Sequence, residues 1–102
     1  MADLSLDRYI VDILLPDLVG HDRSTSSFLV YLYLWRHTQG RGRDTIEVSY
    51  QTIASDIGLS KTAVQMAIKR LKRRRLLSAK LRSPTSTPTY RLLRPWLGPL
   101  PP

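Results

Sequence analysis

Candidate binding residues cluster in one acid-free part of this sequence, from Lys61 to the C-terminus. That part holds four lysines and seven arginines and no aspartate or glutamate, which gives a net charge of +11. Residues 1–60 hold five arginines and eight acids, which gives a net charge of −3. Because the two parts differ so sharply in sign, we expect the second to attract polyanions, with nucleic acid the foremost candidate.

A helical pattern over residues 61–74 places these side chains on one face. Apolar residues spaced three and four apart predict the buried side of a helix: Val64, Ala67, Ile68 and Leu71. The opposite side is entirely basic or neutral: Thr62, Gln65, Met66, Lys69 and Arg73. Gln65 and Thr62 are the best candidates for reading base edges, and Met66 is a candidate for contact with a thymine methyl group. Lys69 and Arg73 are expected to contact phosphates.

The residues before this helix predict a second, shorter helix that packs against it. Ser49 is a good N-cap for a helix over residues 50–57, and Gly58 follows where a left-handed residue should end it. Ser60 then caps the basic helix. Ala54 is small where the two helices would cross closely, and the wedge between them is filled by Ile53, Ile57, Leu59 and Val64. The spacing from Ala54 through Gly58 to Val64 predicts a helix-turn-helix.

A β-hairpin is predicted after the basic helix. Residues 76–81 and 89–93 have strand character, and the turn between them, residues 82–88, contains two prolines that suit a hairpin tip. Residues 45–48 alternate in polarity and predict a further short strand. The predicted fold is therefore mainly α with a small β-hairpin wing, a winged helix-turn-helix with an extra N-terminal helix.

Residues 50–77, YQTIASDIGLSKTAVQMAIKRLKRRRLL, resemble the winged helix-turn-helix of bacterial transcription regulators of the MarR and GntR types. They are also similar to the related domains of plasmid replication initiators, and the resemblance covers residues 26–94. It implies a sequence-specific, double-stranded DNA-binding regulator with helix 61–74 in the major groove and the wing on the backbone or in the minor groove. The DNA-contacting residues so implied are Ser60, Lys61, Thr62, Gln65, Met66, Lys69 and Arg73 on the helix, and Arg82, Thr85 and Ser86 on the wing. Arg74-Arg75 stands where these families often have an acid followed by glycine.

The N-terminal region predicts two further helices. Over residues 4–19, apolar side chains at helical spacing are Leu6, Tyr9, Ile10, Ile13 and Leu14, and Pro16 is expected to end or kink this helix near Leu15. Gly20 and residues 21–23 are expected to form a loop. A second helix is predicted over residues 26–38, and its aromatic residues, Tyr31, Tyr33 and Trp35, are expected in the core.

Residues 4–19 and 28–35 hold more apolar side chains than a small winged domain normally buries. We therefore expect a homodimer through these two ranges. The predicted organisation is an N-terminal helix and loop over residues 1–25, which forms the dimerisation element, the winged domain over residues 26–96, and a disordered proline-rich tail over residues 97–102. Trp96 is expected to fold back onto the core.

Several function classes are disfavoured by the composition. The chain has no cysteine, which excludes disulfides, a thiol nucleophile and a cysteine zinc site. His21 and His37 have no matching carboxylate spacing, and we expect no metal, no cofactor and no enzymatic activity. The apolar run of residues 28–35 is too short to span a bilayer, and no signal peptide is expected. The expected location is the cytoplasm, in association with the nucleoid.

Two other functions remain open at this point. The basic face could meet an acidic protein, in a protein–protein adaptor or in an accessory protein of replication or partition. An RNA-binding role is weaker, because residues 61–94 contain only Tyr90 as an aromatic residue for base stacking. The residues do not identify a small-molecule effector, an operator sequence, the regulated genes, or whether binding activates or represses.

Overall fold

The computed structural model describes residues 3–97. Each of its three α-helices is preceded by a serine N-cap. Ser24 caps α1 (Thr25–His37), Ser49 caps α2 (Tyr50–Ile57) and Ser60 caps α3 (Lys61–Arg73). In each case the serine hydroxyl accepts a hydrogen bond from the backbone N–H three residues later. Gly58 ends α2 at a φ of +76°, which a glycine adopts without a Cβ penalty. The helices predicted for these segments are confirmed to within one residue.

Three short strands form an antiparallel sheet in the order β1-β3-β2. They are β1 (Thr45–Glu47), β2 (Leu77–Lys80) and β3 (Thr89–Leu92), each slightly shorter than its predicted strand. Tyr90 of β3 pairs with Ile46 on one side and Ala79 on the other. The β2–β3 hairpin follows α3 as a wing, so the predicted winged helix-turn-helix with its N-terminal extension is confirmed.

One core joins the three α-helices to the sheet and to the N-terminal region. The four apolar positions predicted for α3 are all at most 1% exposed. Tyr31 and Trp35 of α1 are buried as predicted, whereas Tyr33 is half-buried. The Tyr31 hydroxyl donates a hydrogen bond to the Leu93 carbonyl oxygen at 3.1 Å. This bond links α1 to the chain immediately after β3.

The N-terminal segment, residues 8–21, differs from its prediction. Pro16 does not end the helix, because two π-helical stretches, Ile10–Leu14 and Pro16–His21, follow each other across Leu15. Pro16 is the first residue of the second stretch, and the Leu15 N–H immediately before it bonds to the Ile10 carbonyl oxygen. Gly20 consequently lies inside a helical stretch, and the expected loop begins only at Asp22.

The buried face of the N-terminal segment is also narrower than predicted. Its buried residues are Ile10, Leu14 and Leu18, spaced four apart. Ile13, predicted on the apolar face, is 45% exposed. The residue spacing of an α-helix places Ile13 beside Ile10, but the wider π-type turn rotates it outwards.

The end of α3 shows how the chain accommodates arginine in place of the expected glycine. Arg75 has a φ of +57°, and its N–H bonds to the Lys72 carbonyl while the Leu76 N–H bonds to the Leu71 carbonyl. These two bonds and the buried Leu71 and Leu76 side chains form a Schellman motif, in which glycine is usual at the left-handed position. The motif reverses the chain into β2 despite the steric cost of a left-handed arginine.

The C-terminal end folds back onto the N-terminal segment, as expected for Trp96. The Trp96 ring stacks on Tyr9 at a centroid distance of 4.6 Å, and its indole N–H donates to Asp7 at 3.2 Å. Arg94 lies 3.8 Å from the same carboxylate. Of the tail predicted to be disordered, Leu97 ends a short helical turn, and residues 98–102 lie outside the described residues.

Candidate nucleic-acid interface

The outer face of α3 is exposed and carries no internal ion pair. Thr62, Met66, Lys69 and Arg73 are all exposed, Met66 at 62%, and Gln65 is half-buried at the edge of this face. Within residues 3–97, no carboxylate lies within ion-pair distance of Lys69 or Arg73. We call these five residues, together with Lys61, the α3 face. Its side chains are free to meet an external ligand.

The wing tip is exposed, but one of its predicted contact residues has a structural role. Arg82 and Thr85 are exposed. The Ser86 hydroxyl accepts hydrogen bonds from the Arg82 and Ser83 N–H groups at 3.1 and 3.0 Å, and donates one to the Ser83 carbonyl at 2.9 Å. Ser86 therefore shapes the tight turn that presents Arg82. Ser60 is likewise engaged, as the N-cap of α3.

The wing lies beside α3, so the two predicted contact regions form one surface. Lys61 lines an open cleft together with the tip of the wing and the first residues of α2. Lys72, three helical turns further along α3, lines a smaller cavity against the base of the wing. Sequence reasoning missed Lys72. The signal was its spacing of eleven residues from Lys61, which returns to the same side of a helix after three turns.

A helix-turn-helix domain family matches residues 24–77 of the chain. The match covers more than half of the sequence and includes both α2 and α3. The chain belongs to this helix-turn-helix domain family. No match was found among the curated proteins or among the solved structures. Family membership indicates DNA as the partner, and it extends neither to the N-terminal segment nor to β3 of the wing.

Two arginines of this helix-turn-helix domain lie outside the α3 face and form ion pairs with the N-terminal region. Arg74 pairs with Asp17 and lies 3.5 Å from Asp22, and Arg70 lies 3.6 Å from the other Asp22 oxygen. Arg74 is held in ion pairs with carboxylates of the N-terminal region, whereas Arg73 and Arg75 are exposed.

Asp22 is the centre of this ion cluster, and its side chain is only 7% exposed. A hydrogen bond with His21 at 3.0 Å lowers the pKa of Asp22, and the Arg74 and Arg70 charges lower it further against the opposing effect of burial. The expectation that His21 has no carboxylate at a matching spacing was wrong, because helical backbone through His21 brings ligand atoms of Asp17, His21 and Asp22 within 4.8 Å of one another. The two guanidinium groups already neutralise these carboxylates, which disfavours a cation there.

Within the helix-turn-helix domain, a polar contact holds α2 to α1. The Tyr33 hydroxyl donates to Asp56 of α2 at 2.7 Å, and burial together with this carboxylate raises the pKa of Tyr33 to about 12. The His37 ring packs tilted against the Tyr33 ring at a centroid distance of 4.6 Å, and burial and the neighbouring Arg36 lower the pKa of His37. Both groups are therefore neutral at pH 7. The hydrogen bond between Tyr33 and Asp56 thus fixes α2 on α1.

No described helix within residues 3–97 is long and apolar enough to cross a membrane.

Proposed function

We propose that this protein is a sequence-specific, double-stranded DNA-binding transcription regulator of the type that its MarR- and GntR-like sequence resembles. In this proposal α3 enters the major groove, the wing contacts the backbone or the minor groove, and binding involves no chemical reaction. The protein would act in the cytoplasm, in association with the nucleoid.

The observation that supports this proposal is the continuous exposed surface made by the α3 face and the wing. It presents Lys61, Lys69, Lys72, Arg73 and Arg82 without an acid among them. Positive charge of this kind supplies the sequence-independent part of DNA affinity by releasing counterions from the phosphates. An α-helix has the width that the major groove admits.

Within this surface we assign different tasks to Lys69 and Gln65. Lys69 is fully on the outer side of α3 and would contact phosphate, which positions the protein but carries no sequence information. Gln65 lies at the edge of the face, about one turn from the helix N-terminus that approaches the base edges, and can pair with adenine. Thr62 and Met66 would read neighbouring bases.

The test is the affinity for duplex DNA as a function of salt, measured by fluorescence anisotropy. With about five phosphates neutralised, log K should fall against log salt with a slope of about −4 to −5. Lys69→Ala should weaken binding to every duplex similarly and reduce the slope by about one. Gln65→Ala should instead relax the preference at one base pair by about 1–3 kcal/mol.

Arg91→Ala is a suitable control. Arg91 is exposed on the sheet away from the α3 face, and its substitution removes one positive charge, as Lys69→Ala does. We expect it to change the slope less than Lys69→Ala does. A flat salt dependence would contradict the electrostatic basis of the proposal. A chain that fails to retard random duplex at low salt would be a protein–protein adaptor instead.

We also propose that the protein is a homodimer through residues 4–19 and 28–35. Although much of these elements packs internally, several of their apolar residues are more than one-third exposed: Leu4, Tyr9, Val11, Ile13 and Leu29. Twofold symmetry would place two α3 helices on half-sites roughly 34–36 Å apart. Light scattering should give the mass of two chains, and Val11→Ser with Ile13→Ser should give one. A single-chain mass for the unsubstituted protein at micromolar concentration would rule out this dimer.

A further inference from the structure

One edge of α3 carries two arginines, Arg70 and Arg74, one helical turn apart. An α-helix turns by about 100° per residue, so Arg70 lies about 60° around the axis from Arg73, at the border of the α3 face. Lys72, which lines the cavity at the base of the wing, lies about 160° around the axis from Arg70. The wing and this edge therefore flank the α3 face on opposite sides.

Carboxylates of the N-terminal region neutralise both arginines of this edge. Arg74 pairs with Asp17 and lies 3.5 Å from Asp22, and Arg70 lies 3.6 Å from the second Asp22 oxygen. Because two guanidinium groups meet two carboxylates, their formal charges cancel. We call these four residues the paired edge of α3. Arg73, next to it on the helix, is exposed and forms no ion pair within residues 3–97.

The arginines of the paired edge are accessible enough to bind an external anion if the carboxylates were absent. The side chain of Arg70 is 36% exposed and that of Arg74 is 32% exposed. A guanidinium group is always charged in proteins, and its planar fork binds phosphate through two parallel hydrogen bonds. Pairing with Asp17 and Asp22, and not burial, therefore withholds these two charges from a polyanion.

The paired edge determines how far the positive surface of α3 extends around the helix. From Lys72 to Arg73 this surface covers about 100° of the circumference, and unpaired arginines would extend it to about 200° at Arg74. Contacts between cations and phosphates carry no sequence information, and they hold DNA in any orientation that brings the two together. A wider positive surface would therefore allow docking orientations in which the α3 face does not meet the base edges.

We propose that Asp17 and Asp22 determine the specificity of DNA binding by neutralising Arg70 and Arg74. They confine the positive charge of α3 to one side, so that a duplex docks on the α3 face together with the wing and not on the opposite edge. This inference rests on the proposed function, and it gives a part in that function to residues that precede the family match.

The test is the salt dependence of affinity for a short random-sequence duplex, measured by fluorescence anisotropy on Asp17→Asn and on Asp17→Asn with Asp22→Asn. Each arginine released to a phosphate adds about 0.9 to the magnitude of the slope of log K against log salt. We expect the slope to steepen by about two in the double variant and by up to about one in Asp17→Asn, in which Arg74 keeps Asp22. At about 0.1 M salt, the same relation gives a rise in affinity of up to about eightfold for each arginine.

A second measurement separates specificity from affinity. A preferred duplex is first selected from a random pool with the unsubstituted protein, and the ratio of its affinity to that of the random duplex is then measured for each variant. The ratio should fall in the double variant, because the additional docking orientations increase binding to random sequence more than binding to the preferred site. A steeper slope with an unchanged ratio would overturn the role in specificity.

Asp12→Asn is the matched control for the change in net charge. Asp12 is exposed on the same N-terminal segment and forms no ion pair within the described residues. Its substitution removes one negative charge but releases no arginine, so the slope should stay the same. Circular dichroism checks that each variant is folded at the temperature of the binding experiment. If the double variant is unfolded, Asp17→Asn decides alone, since it leaves Asp22 between the two arginines.

The outcomes distinguish this inference from the proposed function. If the slope is unchanged in the folded variants, or changes equally in Asp12→Asn, the inference is overturned while the proposed function stands. If the unsubstituted protein binds no duplex and the double variant does, the proposed function fails and the neutralising role of Asp17 and Asp22 is supported. If neither protein binds duplex, both proposals fail.

Discussion

Leu18→Ala is expected to destabilise the protein by about 2–5 kcal/mol, the usual cost of truncating a fully buried leucine. Leu18 is 0% exposed and belongs to the π-helical stretch Pro16–His21, which packs against α1. Truncation removes apolar contacts and leaves a cavity under a segment that the family match does not include. The measurement is the urea midpoint at pH 7, with the slope of the transition checked for a change in two-state behaviour.

Ile13→Ala is the matched control for Leu18→Ala. It removes a similar side chain from the same segment, but Ile13 is 45% exposed, so we expect a change of less than about 0.5 kcal/mol in a monomer. Equal and small losses in the two variants would mean that the N-terminal segment is not part of the core in solution. A loss in Ile13→Ala that grows with protein concentration would instead support the proposed dimer, because association stabilises the folded state by mass action.

Asp22→Asn is expected to destabilise the protein by about 1–2 kcal/mol at pH 7. The substitution leaves Arg70 and Arg74 without the carboxylate that they share between the N-terminal segment and α3. Removing one partner from a fully buried ion pair costs about 3–5 kcal/mol. Because each arginine side chain here is about one-third exposed, water recovers part of that loss and the expected cost is smaller.

The effect of Asp22→Asn should depend on pH with a definite sign. The pKa of Asp22 is lowered in the folded protein, so its stabilising contribution is fully present above the unfolded pKa of about 3.9. The contribution is lost as the pH falls through the lower, folded pKa. The difference in unfolding free energy between the two proteins should therefore be constant near neutrality and shrink below about pH 4.

Asp12→Asn provides the comparison, since Asp12 is exposed on the same segment and is in no ion pair within the described part of the chain. Urea unfolding of all three proteins over a series of pH values gives the measurement. An Asp22→Asn effect that stays constant into the acid range, or an equal loss in Asp12→Asn, would show that the ion cluster does not contribute to stability.

The helix-turn-helix itself could be predicted from local sequence because each of its boundaries has a local cause. Ser49 and Ser60 cap the helices that follow them, and Gly58 provides the left-handed residue between them. The repeat of apolar residues three and four apart identified the buried side of α3, and thereby its exposed face. The assignment of DNA contacts to that exposed face stays a prediction, which the binding experiments test.

The N-terminal segment could not be predicted in the same way. Its apolar residues match an α-helix, but the observed π-type turns select Leu14 and Leu18 for burial and expose Ile13. Hydrogen bonding of this type is rare and has no reliable sequence signal. The π-type backbone of this segment is determined by its packing against α1 and the Trp96 ring, which are distant from it in sequence.

Charge and local periodicity, read from the sequence alone, determined that the protein is a winged helix-turn-helix with one acid-free face. Tertiary structure alone decided which lysine and arginine side chains remain exposed on that face. The sequence shows where an arginine is, but it does not show which carboxylate the arginine pairs with. Arg74 forms ion pairs with Asp17 and Asp22, which lie more than fifty residues earlier in the chain, whereas the adjacent Arg73 stays exposed. Likewise, Lys72 and Tyr90 meet at one cavity only because the hairpin folds back along α3. Contacts between residues far apart in sequence depend on the whole fold, and local patterns do not encode them.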